Sequence, residues 1–196
     1  METLFALSDA RLRWPKTIYY MVARYHLHID EDPKALLRYC ITFNYIDLIP
    51  FLRAKKLIDY KYAIDHSAQN NSFTLVKWFH DRERVDDEMA TTAAMDYAAR
   101  SGNIEMLDWL YENRSEGCSK NACNLAVLCN KLNSLIWLDK RGLFVMDDKQ
   151  ISICAMHNYI DIARWLLSRG ASVTKLDIET AKRINNKEFL SLFDDE

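Results

Sequence analysis

One turn position recurs along the chain and holds only Asn or Gly: Asn44, Asn71, Gly102, Asn130, Asn158 and Asn185, at spacings of 27, 31, 28, 28 and 27 residues. A near-constant period of this size marks a tandem array. Asn and Gly enter the left-handed backbone region more readily than other residues, so the column predicts a tight helix-to-helix turn made six times. Such an array buries its apolar surface between neighbouring units. The expected fold class is therefore all-α, a helical-pair solenoid of about six to seven repeats with short exit loops.

Nine residues before each turn align in columns. The sixth column reads Cys40, Ser67, Ala98, Ala126, Cys154, Ala181 and holds nothing larger than a thiol, as the close approach of two helix backbones requires. The third column, Leu37, Ile64, Met95, Cys123, Ile151, Ile178, is apolar and shares that face. After the turn, places two, five and eight and much of place four are apolar, which makes the second helix amphipathic. Place seven carries Trp78, Trp109, Trp137 and Trp165. Aligned indoles read as interior packing between units rather than as a cofactor-stacking box.

Start and stop signals agree with helix pairs. Asp32-Pro33, Thr91-Thr92, Ser119 and Asp148 precede first helices and can cap them. Gly142 and Gly170 follow second helices. Three segments of one continuous solenoid are expected: a degenerate N-terminal capping repeat over 1–34, the array over 35–175 and a C-terminal capping repeat over 176–196. No run of 18 apolar residues occurs, so no membrane span is expected, and Met1 to Trp14 lacks the apolar core of a signal peptide. Five Cys without CxxC pairing point to a reducing, cytoplasmic compartment.

The residues from Ala93 to Leu110, AAMDYAARSGNIEMLDWL, resemble the core of an ankyrin repeat, with its Leu-His-x-Ala-Ala helix, Gly-His turn and Val-Val-x-x-Leu-Leu helix. Leu166 to Val173, LLSRGASV, resembles the Leu-Leu-x-x-Gly-Ala-Asp-Val exit of that family. The units are shorter than the usual repeat of about 33 residues and lack its Thr-Pro-Leu-His opening, so the protruding hairpin fingers are expected to be shortened or missing. Short Trp-bearing units such as Trp109 to Cys118, WLYENRSEGC, resemble divergent repeats of oomycetes and of multigene families in large DNA viruses. That resemblance implies a pathogen-encoded protein that binds a host protein, modulates host defence and works in the host cytoplasm.

No catalytic motif is present: the sequence has no GxSxG, P-loop, GxGxxG or HExxH. His26, His28 and Asp30 lack a second ligand cluster, and Cys118, Cys123 and Cys129 read as core or near-core thiols, so neither metal nor cofactor is expected. A net charge of −2 gives no general attraction to nucleic acid, and Arg53, Lys55, Lys56, Arg82 and Arg84 sit in short loops beside carboxylates. What remains is a surface for a protein partner. Columns five and eight of the first helices are not needed for packing, and they supply the candidate residues Tyr39, His66, Gln69, Tyr97, Arg100, Leu125, Leu128, Ile153 and Met156. The strip from Leu125 to Met156 is either an exposed apolar patch or core buried by tighter packing between units. Two rivals stay open beside a monomeric, non-enzymatic binding module: a weak or structural homo-oligomer meeting through that strip, and an enzyme or cofactor protein using aligned Trp or His.

Overall fold

The computed structural model describes residues 33–54, 56, 58–82 and 88–193. The chain divides into two compact units, Met1–Lys61 and Tyr62–Glu196. Among the described residues the regular structure is helical and no strand is present, so the protein is all-α as its repeat columns require. The expected N-terminal capping segment and the His26–His28 pair lie outside the described residues, as do Lys55, Arg84 and the closing Asp194 to Glu196.

The first unit contains α1 (Pro33–Thr42) and α2 (Leu48–Ala54). They are joined by a turn in which Asn44 has φ 57°, and Leu37, Cys40, Ile41, Ile49 and Leu52 are buried. Among its described residues the second unit holds five helical pairs: α3 (Ala63–Gln69) with α4 (Phe73–His80), α5 (Ala93–Ser101) with α6 (Ile104–Asn113), α7 (Asn121–Leu128) with α8 (Leu132–Lys140), α9 (Asp148–His157) with α10 (Ile160–Leu167), and α11 (Lys175–Arg183) with α12 (Lys187–Leu190). A single 3-10 turn, Ser191–Phe193, follows.

Every member of the Asn/Gly column has positive φ: 57° at Asn44, 54° at Asn71, 79° at Gly102, 55° at Asn130 and 58° at both Asn158 and Asn185. Each residue after the turn donates its N–H back to the sixth-column carbonyl, as in Tyr45 to Cys40, Ser72 to Ser67 and Lys131 to Ala126. That bond satisfies one of the carbonyls left open at the end of the first helix. The small side chain and the turn are thus two halves of one device, because the sixth-column residue both lets the neighbouring helix approach and receives the reversing chain. All six members of that column are fully buried.

Within the second unit successive first helices lie in close contact, α3 on α5, α5 on α7, α7 on α9 and α9 on α11, whereas successive second helices meet less closely. Small residues on one layer and large ones on the other account for this difference, and in a solenoid of helical pairs the more closely packed layer is the inner one. Places four, five and eight of the second helices form the core, with Leu75, Val76 and Phe79, Met106, Leu107 and Leu110, and Ile162, Ala163 and Leu166 all buried.

Short exits replace hairpin fingers. Residues 114–120, 141–147 and 168–174 connect one pair to the next without strand structure, as the shortened repeat predicts. Helix entry differs from expectation at α9, where Asp147 and not Asp148 accepts from the Lys149 N–H at 2.9 Å. The extended backbone of Asp147, with φ −137°, presents its carboxylate to the open amide groups, whereas Asp148 is already helical. Thr91 and Ser119 behave as predicted in part, each accepting a bond from the N–H two residues on at 3.1 Å.

Candidate functional site

The inner face of the second unit is built by columns one, five and eight of the first helices, three positions that share one side of an α-helix. His66 and Gln69 project from α3, Tyr97 and Arg100 from α5, Leu125 and Leu128 from α7, and Ile153 and Met156 from α9. The column-five residues His66, Tyr97, Leu125 and Ile153 are half-buried. In column eight Arg100 is also half-buried, but Gln69, Leu128 and Met156 stand further out: Leu128 and Met156 are each 48% exposed, which decides between the patch and the core for these two residues. Helix geometry explains the split, because column five leans toward the packed third and sixth columns and column eight lies a further turn along the open side. Tyr39 belongs to the first unit, where its ring packs on Phe43 at 4.4 Å and faces Tyr45 at 6.3 Å.

Several side chains on this face are held in place. Arg100 donates through Nη2 to the Gln69 carbonyl at 3.3 Å and lies over the Tyr97 ring at 5.3 Å, so α3 and α5 are tied together beside the groove. Tyr159 donates its hydroxyl to the Leu128 carbonyl at 3.5 Å, and its ring stacks on His157. A partner arriving here meets side chains whose ordering has already been offset by contacts within the fold.

Beneath the face runs a polar ladder that the sequence columns could have revealed. Column four reads Arg38, Asp65, Asp96, Asn124, Ser152 and Glu179, with no apolar member. Asp65 accepts from the Thr91 N–H at 2.9 Å and from its hydroxyl at 2.8 Å, and Asp96 does the same with Ser119 at 2.8 and 2.6 Å. One unit on, Asn124 receives the buried Gln150 amide at 2.9 Å, and Ser152 donates to Asp177 at 2.6 Å. Each first helix therefore clamps the entry to the next. Burial pushes the Asp65 and Asp96 carboxyls above their ordinary value even though the Thr91 and Ser119 bonds pull the other way. Asp177 is also desolvated, yet the bonds from Ser152 and Thr174 hold it below the usual carboxylate range.

The outer helices correct the expectation of an interior Trp column. Trp137 is buried at 5% exposure, but Trp78, Trp109 and Trp165 are half-buried. Arg82, Arg141 and Arg169, each four residues beyond its Trp, lie over the rings at 4.0, 3.9 and 3.7 Å. Arg141 and the Trp137 Nε1–H both bond Asp108 of the preceding pair, and Arg169 reaches Asp139 at 2.6 Å. Trp109 meets Phe73 and His80 edge-on at 6.0 and 4.9 Å. Trp78, Trp137 and Trp165 each leave a face for a guanidinium because place seven sits at the margin of the apolar stripe, whereas Trp109 is met by rings of the preceding pair.

The cysteines are all unpaired. Burial pushes the Cys40 and Cys154 thiols up to about 12 and Cys118 up to about 11, which keeps them protonated and unreactive. Cys123 is buried and accepts the Val145 N–H at 3.3 Å. Cys129 departs from the near-core expectation: it caps the end of α7 and is exposed, because the ninth column falls where the chain leaves the helix. Among the described residues no group of His, Cys, Asp and Glu is arranged to hold a metal ion.

A family model for ankyrin repeats, three copies, matches residues 64–177. The chain belongs to the ankyrin-repeat family. The match covers α3 to the start of α11 and so spans the whole run from His66 to Met156. Searches of curated proteins and of solved structures returned no match. Ankyrin repeats are protein-interaction modules, and the chain carries one. No described helix is long and apolar enough to cross a membrane.

Proposed function

We propose that this ankyrin-repeat protein is a monomeric, non-enzymatic binding module that takes a segment of a protein partner along the inner face, from His66 and Gln69 past Tyr97 and Arg100 to Leu125, Leu128, Ile153 and Met156. The observation that carries this reading is the pair Leu128 and Met156, large apolar side chains 48% exposed in the same column of adjacent repeats. Stacked repeats present such a strip with little further ordering, so the area it removes from water is available for affinity. Tyr97 and Arg100 supply residue types that often dominate interfaces. Nucleic acid and cofactor have no place in this reading.

The short Trp-bearing units support, by resemblance, a pathogen-encoded protein that engages a host protein and modulates host defence. Five free cysteines, two with thiols pushed up to about 12, suit a reducing host cytoplasm. The test is a partner isolated from host lysate and titrated calorimetrically. Replacing Tyr97 and Arg100 together by Ala should weaken binding by about 2 kcal/mol or more, with the circular-dichroism spectrum unchanged. Wild-type affinity in that folded double variant would move the site to the outer helices or the exits.

A further inference from the structure

The charge on the inner face is one-sided. In the second unit the three columns comprise Tyr62, His66 and Gln69, Ala93, Tyr97 and Arg100, Asn121, Leu125 and Leu128, Lys149, Ile153 and Met156, and Leu176, Thr180 and Arg183. They contain Arg100, Lys149 and Arg183 and no carboxylate, in a chain whose net charge is −2. The second helices carry six acids on the outer layer, Glu105, Asp108, Glu112, Asp139, Asp161 and Glu188, against the four basic residues Lys77, Lys140, Arg164 and Lys187. Of the first-helix acids that might have neutralised the face, three are turned elsewhere, while Glu179 lies exposed one turn before Arg183. Asp65 and Asp96 are buried in the ladder to the next repeat, and Asp177 is buried on Ser152 and Thr174. Asp147 and Asp148 border the groove at the start of α9, and Asp147 is engaged with the Lys149 N–H.

Resting on the reading that the inner face is the binding surface, we propose that its partner is an acidic segment with large apolar side chains. The apolar side chains cover Leu128 and Met156, and carboxylates on either side meet Arg100 towards α3 and Lys149 and Arg183 towards α11. Two exposed apolar residues in columns whose only charged members are cations disfavour a basic segment. They would leave a neutral polar one without compensation for desolvating the guanidinium groups. Arg100 uses one of its five donors on the Gln69 carbonyl and retains others for a carboxylate. The apolar pair favours a peptide over a nucleic acid, whose phosphates would use the cations and leave Leu128 and Met156 uncovered.

The experiment pans randomised dodecapeptides displayed on phage against the full chain, then measures the enriched peptides by fluorescence anisotropy against charge-reversed variants. The expected pool is rich in Asp and Glu interleaved with Leu, Phe or Met. Its members should bind Lys149→Glu and Arg183→Glu about tenfold or more weakly at low salt, with the difference shrinking as salt is raised. A pool that is not acidic, yet loses binding to Leu128→Asp/Met156→Asp, overturns the charge inference and leaves the inner face as the site. Peptides indifferent to Leu128→Asp/Met156→Asp, or a library that yields no binder, overturn the inner-face reading and the inference with it. Single-stranded oligonucleotides binding as tightly as the best peptides, with the same loss on charge reversal, would also overturn it. Retained helical circular dichroism in each variant is the condition for comparison, and the single charge reversals are exposed enough to meet it.

Discussion

Asp96 is the most informative place to perturb the ladder between repeats, because its role predicts unequal costs for two substitutions and a definite sign for pH. The carboxylate is 6% exposed and accepts the Ser119 N–H and hydroxyl at 2.8 and 2.6 Å. Hydrogen bonds to a charged acceptor contribute roughly 1.5–3 kcal/mol each, but the raised pKa says that burial takes back much of that. Asp96→Ala should therefore cost about 2–3 kcal/mol, less than the sum of the two bonds, since half-buried Ser119 can turn its donors to water. Asp96→Asn keeps the shape. Its carbonyl still accepts from the Ser119 N–H and its amide can donate to the Ser119 hydroxyl, so the cost should stay within about 1 kcal/mol at neutral pH.

The pH dependence has a definite sign. A carboxyl whose folded pKa is raised stabilises the fold fully below its unfolded value, near the ordinary aspartate 3.8, and that contribution is lost as pH rises through the folded pKa. The Asn variant cannot titrate there. Urea melts followed by circular dichroism, run in parallel on the wild type and Asp96→Asn from acid to neutral pH, should show the wild type losing ground to the variant as pH rises. Comparing the pair matters because Glu116, Asp147 and Asp177 have lowered pKa values and contribute slopes of the opposite sign, which cancel in the difference. If the wild type instead gains on the variant with rising pH, the Ser119 bonds outweigh desolvation and the account of a desolvated, buried carboxylate is wrong.

Other outcomes follow from the same geometry. Ala126→Leu places three extra carbons at a fully buried position between α5 and α9 and should cost roughly 1–3 kcal/mol or more by urea melt, with Ala98→Leu similar. Trp137→Ala, which removes a buried ring and the bond to Asp108, should cost about 3–5 kcal/mol, whereas half-buried Trp109→Ala should cost nearer 2–3 kcal/mol; equal losses would refute the revised placing of the Trp column. At the turn, Gly102→Asn should change the melting midpoint little, because Asn fills the same left-handed position in the other repeats and only the flexible Lys131 chain must move. Asn130→Val should cost about 1–2 kcal/mol, since a branched Cβ does not tolerate φ 55°.

Local rules carried much of the result. The Asn/Gly column, the small sixth column and the apolar stripe were legible because left-handed φ, backbone approach and burial each admit few residue types, and repetition shows the restriction six times over. The shortened period likewise announced exits without strands. Polar and marginal positions were harder to read. Column four was visibly polar, but its meaning lies in pairing Asp96 with Ser119, 23 residues away, and no helical periodicity reports a bond between units. The Trp column looked interior because indoles usually are, and its marginal place depends on an Arg four residues on finding an Asp in the preceding repeat, as Arg141 finds Asp108. The exposure of Leu128 and Met156 was open for the same reason. Whether column eight is covered depends on how closely successive first helices stack and how the stack curves, and that is decided by the summed volumes of neighbouring repeats, a property of their packing that no single unit contains.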